Sequence, residues 1–182
     1  MLPFKRGPRI NAVADILYED VFLVLSDKFT NDLRLKLVRP GNSESLSQQF
    51  ILECYSLISF IITFTFQRRF IDTGQEKCKK ILDMFHTRLF DNMDVPFTEE
   101  HKLCDIVEAR YAEYYPIMKD DLECARDGIG EILFRGIPEA FFSRVAPEKS
   151  ISEESLLFGL FIAELYSSIS DSYDKIKRYK IT

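Results

Sequence analysis

A chain of 182 residues with 46% hydrophobic and 29% charged side chains has room for one sizeable core and is too apolar to stay disordered. Its formal net charge of −5 has the wrong sign for a dedicated phosphate-neutralising surface, which argues against nucleic acid as a partner.

Residues 1–10 are basic but lack the long apolar stretch and small-residue cleavage site of a secretory signal, so an irregular N-terminal arm is expected. A first helix is predicted from about Asn11, a plausible N-cap, to Arg39. Leu17, Val21, Leu25, Phe29 and Leu33 recur at every fourth position, and Pro40-Gly41-Asn42 ends the pattern. Leu33 to Leu37 alternates with a period of two, which also suits a short strand. No partner strand is evident, and helix is preferred.

The run Phe50–Phe66, FILECYSLISFIITFTF, dominates the chain. As a helix it spans about 25 Å, short of a bilayer core of about 30 Å. Its length exceeds that of an ordinary strand. Gln49, Glu53, Ser56, Ser59, Thr63 and Gln67 recur at intervals of four, three, three, four and four, one narrow polar stripe on an apolar cylinder. The pattern predicts a central bundle helix over residues 45–70, opened by Ser45-Leu46-Ser47-Gln48 at capping-box spacing. Ile58, Ile61 and Ile62 are expected inside, with the polar seam reaching water or a neighbouring backbone. No second apolar segment of similar purity accompanies it, so a membrane span is not expected.

Thr73-Gly74-Gln75-Glu76 repeats the capping spacing, and Cys78, Leu82, Phe85 and Leu89 make the buried face of the next helix. After a turn at Asp91–Pro96, Thr98 is read as the cap of a long helix with Glu99 and Glu100 in its first turn. Leu103, Val107, Tyr111, Tyr114, Met118, Leu122, Ala125, Ile129 and Ile132 form its stripe. Pro116 is expected to kink it and Gly136 to stop it. A short helix is predicted over Pro138–Val145. A last one follows Ser150-Ile151-Ser152-Glu153 and runs to about Arg178, with Phe158, Ile162, Leu165, Ile169, Tyr173 and Ile176 inside. Short connections imply antiparallel neighbours, and residues 1–182 read as a single-domain all-α antiparallel bundle of about five long helices and one short one.

Chemistry-bearing patterns are sparse. Cys54, Cys78, Cys104 and Cys124 include no CxxC pair, and read as small core residues in a reducing cytoplasm. Asp83, His86, His101 and Asp105 flank one turn at helical spacings, which makes a metal site conceivable. His101 is phased away from its apolar stripe and His86 sits at the edge of its own, so two ordinary boundary histidines, and no metal or cofactor, are expected. Gly128-Ile129-Gly130 lacks the context of a phosphate loop, and no nucleophile elbow is present. Tyr111 and Tyr114 are expected to bury their rings while Arg110 and Glu113 stay wet. Lys175, Lys177, Arg178 and Lys180, interleaved with Tyr173 and Tyr179, complement a helix C-terminus or meet an acidic partner or membrane surface.

No catalytic residue is named by these patterns. The expectation is a non-enzymatic, cytoplasmic interaction protein (a regulator, adaptor, assembly factor or immunity-type binder), with a protein partner that includes the option of a homodimer. The competing expectation is a small-molecule-binding bundle or enzyme with an apolar pocket near Glu53 and Arg110. An enclosed cavity presenting either residue speaks for the second, and a filled core with exposed apolar surface for the first.

Overall fold

The structure, a computed structural model, describes residues 9–25, 32, 44–70, 74–92, 100–126, 134–147 and 153–177. Six helices account for nearly all of these: α1 (Ile10–Leu25), α2 (Glu44–Phe70), α3 (Gln75–Asn92), α4 (Glu100–Arg126), α5 (Gly136–Val145) and α6 (Glu153–Lys177). The protein is an all-α bundle. The predicted continuation of the first helix beyond Leu25, the cap at Thr98, and Gly128-Ile129-Gly130 lie outside the described residues.

Helix α2 is the axis of the bundle and packs against each of the other described helices. Phe50, Leu57, Ile58, Phe60, Ile61, Ile62, Phe64, Phe66 and Phe70 are all buried, on every side of the cylinder. At roughly 1.5–3 kcal/mol per large apolar side chain, this one helix supplies a major share of the hydrophobic driving force. Residues Gln48–Phe70 are long and apolar enough to cross a bilayer, yet most of that stretch is buried inside the protein.

The neighbours of α2 bury the faces expected from their spacing. On α3 these are Cys78, Leu82, Phe85 and Leu89, joined by Ile81; on α4, Val107, Tyr114, Met118 and Leu122; on α6, Phe158, Ile162, Leu165, Ile169 and Tyr173. Consecutive helices run antiparallel. Thr63 meets His86 while Phe70 meets Cys78, and Glu113 meets Arg144 while Asp121 meets Gly136. Helix α6 runs parallel to α2: Cys54 and Phe158 line one small void, and further along both helices the Phe66 and Tyr173 rings meet edge to face at 5.8 Å.

Helix starts differ from the sequence expectation. Val13 N donates to Arg9 O at 3.1 Å, so Asn11 lies inside the first turn of α1 and is no cap. Helix α2 already includes Glu44, which places Ser45 within the helix. Gly136 opens α5 instead of stopping α4. The Asp121 carboxylate, from α4, accepts hydrogen bonds from the amides of Gly136 (3.3 Å) and Ile137 (3.4 Å), replacing a local cap at Arg135. Pro138 falls in that first turn, where its missing N–H is an orphan anyway. Pro116 lies inside α4, which continues through it.

Candidate functional site

Of the two surroundings expected for the polar seam of α2, water and a neighbouring backbone, its centre faces protein. Glu53 is 2% exposed, and Ser56, Ser59 and Thr63 are buried with it; only Gln49 and Gln67 at its ends are exposed. Ser56 and Ser59 donate to the carbonyls of Leu52 (2.9 Å) and Tyr55 (2.6 Å), one turn back on their own helix. The seam thus satisfies itself locally where it is weakly polar. It recruits partners where it carries a charge or a free hydroxyl.

Around Glu53 three helices converge. Arg110 of α4 grips the carboxylate from one side, with Nε 3.0 Å from Oε1 and 2.9 Å from Oε2, and Nη2 2.7 Å from Oε1. Arg144 of α5 approaches the other oxygen, Nε to Oε2 at 3.3 Å, without hydrogen-bond alignment. Arg144 also donates from Nη2 to Glu113 Oε2 at 2.7 Å and from Nη1 to the Ala140 carbonyl. Its guanidinium lies over the Tyr114 ring, 5.1 Å from the centroid. Gln49 Nε2 closes the ring of contacts on Arg144 O at 3.3 Å. Two negative and two positive groups balance. The hydrogen bonds to Glu53 hold the Arg110 guanidinium above its ordinary pKa, against the effect of burial.

Arg110 therefore turns inward, not outward to water as expected, while Tyr114 is fully buried as expected. The Tyr114 hydroxyl has no hydrogen-bond partner among the described residues, and burial pushes its pKa up. Arg144 went unrecognised in the sequence, although a signal was there. Ile137, Phe141 and Arg144 stand at i, i+4 and i+7, so the arginine occupies a core-facing position of α5. Val107, Arg110 and Tyr114, at i, i+3 and i+7, place an arginine likewise on α4.

Further along the seam, Thr63 Oγ1, His86 Nε2 and Tyr111 OH form a triangle with sides of 3.3, 3.4 and 3.1 Å. The other ring nitrogen of His86 bonds the Leu82 carbonyl one turn back. That leaves Nε2 of the neutral ring as the acceptor, with Tyr111 OH donating. Desolvation lowers the His86 pKa and raises that of Tyr111. His86 thus spends both nitrogens inside the protein. Among the described residues no group of three or more His, Cys, Asp or Glu is placed to hold a metal ion. Cys54, its pKa raised by burial and then by Glu53, is a core thiol with no nucleophilic tendency.

The described cavities lie elsewhere. One is an apolar void of about 10 Å³ behind Cys54 and Ile58, too small for a ligand. The other is an open groove of about 510 Å³ between α1 and α6, lined by Leu23, Leu157, Leu160, Phe161, Glu164 and Ser168 among others. Leu23 is 67% exposed, Leu160 47% and Leu157 42%, with Leu156 beside them at 54%. Neither cavity presents Glu53 or Arg110. Tyr173 points inward near the groove's end and donates to Asp20 Oδ2 at 3.4 Å, linking α6 to α1. Burial, opposed by that bond, raises Asp20 to a pKa of about 6. No protein-family model, no curated protein and no solved structure matches this chain.

Proposed function

We propose that this chain is a non-enzymatic helical interaction protein, working through protein–protein contact at the α1–α6 face. The observation that carries the reading is the cluster of exposed leucines there, Leu23, Leu156, Leu157 and Leu160, around an open groove. Grouped apolar exposure costs solubility and is retained where a partner covers it. The chemistry-bearing side chains support the same reading from the inside. Glu53, Arg110, Arg144, His86 and Tyr111 are committed to partners across α2, α3, α4 and α5, and neither described cavity is lined by any of them.

The buried thiols Cys54 and Cys78 suit a reducing compartment, and we take the cytoplasm as the site of action. The coverage of α2 by its own bundle favours a core helix over a membrane span. The test is capture from the native cell with the full chain as bait, in parallel with Leu160→Asp. The reading predicts a stoichiometric protein partner recovered by the wild type and lost by the variant, both melting at the same temperature. A partner retained by Leu160→Asp, or a small molecule bound stoichiometrically instead, contradicts it.

A further inference from the structure

The groove's own residues narrow down what fills it. Along α6, Leu157, Leu160, Glu164 and Ser168 succeed one another at steps of three, four and four. They share one side of the helix over about three turns, roughly 16 Å. Leu23 of α1 supplies the facing wall. The described residues form no strand, so the groove offers no sheet edge. An extended peptide lying against leucine side chains would leave its own amides and carbonyls unpaired. A helix satisfies its backbone internally and needs only side chains to fill the groove.

Charge decides which helix. Among the described residues lining the groove, Glu164 is the one acidic or basic side chain, and it is exposed. From Glu153 to Tyr173 α6 carries no Lys or Arg, while Glu153 and Asp171 are exposed on it. A second copy docking through the same face would bring these acids toward their own equivalents across a two-fold axis, an arrangement opposed by repulsion. Among the described residues, a head-to-tail copy offers only Tyr115 to insert. Apart from Tyr115, the large exposed apolar side chains of the described residues all belong to α1 or α6.

We propose that the groove receives an amphipathic helix of a different protein, about three turns long, whose leucine-type face is flanked by Lys or Arg meeting Glu164. The proposal rests on the interaction reading and adds the partner's form and sign. The probe is a fluorescein-labelled amphipathic peptide of leucine and lysine, roughly four helical turns long, with a twin carrying Glu at every Lys position. Anisotropy titrations use the full chain, Glu164→Lys, Glu164→Gln and Leu160→Asp, each checked for unchanged helical circular dichroism and melting. The lysine peptide should bind about tenfold tighter than its twin. Glu164→Gln should shrink that preference, Glu164→Lys should erase or invert it, and Leu160→Asp should weaken both peptides.

Equal affinity for the two peptides, still lost in Leu160→Asp, overturns the charge assignment and leaves the interaction reading standing. Concentration-dependent dimerisation abolished by Leu160→Asp puts a second copy in the groove and overturns the proposal in the same way. Binding of neither peptide, or binding indifferent to Leu160→Asp, overturns the proposed helix. Combined with a partner still captured by Leu160→Asp, it removes the interaction reading as well.

Discussion

Glu53 is costly to bury and is held by Arg110 and Arg144 from two other helices, so its value is exposed only by breaking the set. Glu53→Ala should lose about 3–5 kcal/mol in urea unfolding, because the guanidinium of Arg110 is left without its buried partner. Replacing the pair together, Glu53→Leu with Arg110→Leu, should recover at least half of that loss; a double variant as unstable as the single one would contradict the clamp. The two tyrosines next to it should part company. Tyr111→Phe removes a hydroxyl bonded to His86 and should cost about 1 kcal/mol, whereas Tyr114→Phe removes an unpartnered one and should be neutral or stabilising. Asp20 adds a pH dependence. Its folded pKa of about 6 exceeds the ordinary 3.8, so its contribution to stability is full below about pH 4 and is lost as pH rises through 6. Asp20→Asn keeps an acceptor for Tyr173 and should be about 1–2 kcal/mol more stable than wild type at pH 7.5, solvent screening included. At pH 4 the two proteins should unfold alike. Of these residues Glu53 was conspicuous in the sequence as the one charge in an apolar run. Arg110 read as a wet residue and His86 as a boundary histidine, and Arg144 went unrecognised, although all three stand at or beside core-facing positions. Nothing local says whether such a residue turns in or out, because its partner lies on another helix.

Helices were legible where apolar spacing alone decides them, as for α2, α3, α4 and α6. Their ends were less so, because end groups take whichever partner the tertiary fold brings. Asp121 caps α5 from 15 residues away, and no capping spacing announces that. Close approach is equally hidden. A Cβ added at Gly159 would sit 2.3 Å from the Phe134 carbonyl oxygen, a backbone atom that cannot step aside. At Gly136 the nearest atom is the Ile117 Cγ2 methyl at 2.5 Å, a side-chain atom and not backbone. Gly159→Ala should therefore lose roughly 1–3 kcal/mol despite alanine's better helix propensity, and Gly136→Ala clearly less. Thermal melts of the two variants check the order, and reversed losses would contradict the α5–α6 approach.

At the scale of the molecule, the bundle divides labour between inside and surface. Polar chemistry is drawn into α2's seam, where it fixes how α3, α4 and α5 sit, while the face shared by α1 and α6 keeps its leucines in solvent. The sequence pattern pointed to Glu53 and Arg110 as the residues to watch and passed over Leu157 and Leu160. An apolar residue one step off a helical stripe looks like any other until the neighbouring helix is placed and fails to cover it. The most direct measurement is hydrogen exchange by mass spectrometry on the full chain, alone and with its captured partner. The account predicts added protection in α6 from Leu157 to Ser168 and at the end of α1 around Leu23, with α4 and α5 near Arg110 and Arg144 unchanged. Protection centred on Arg110 and Arg144, with the α1–α6 face unaltered, would contradict it.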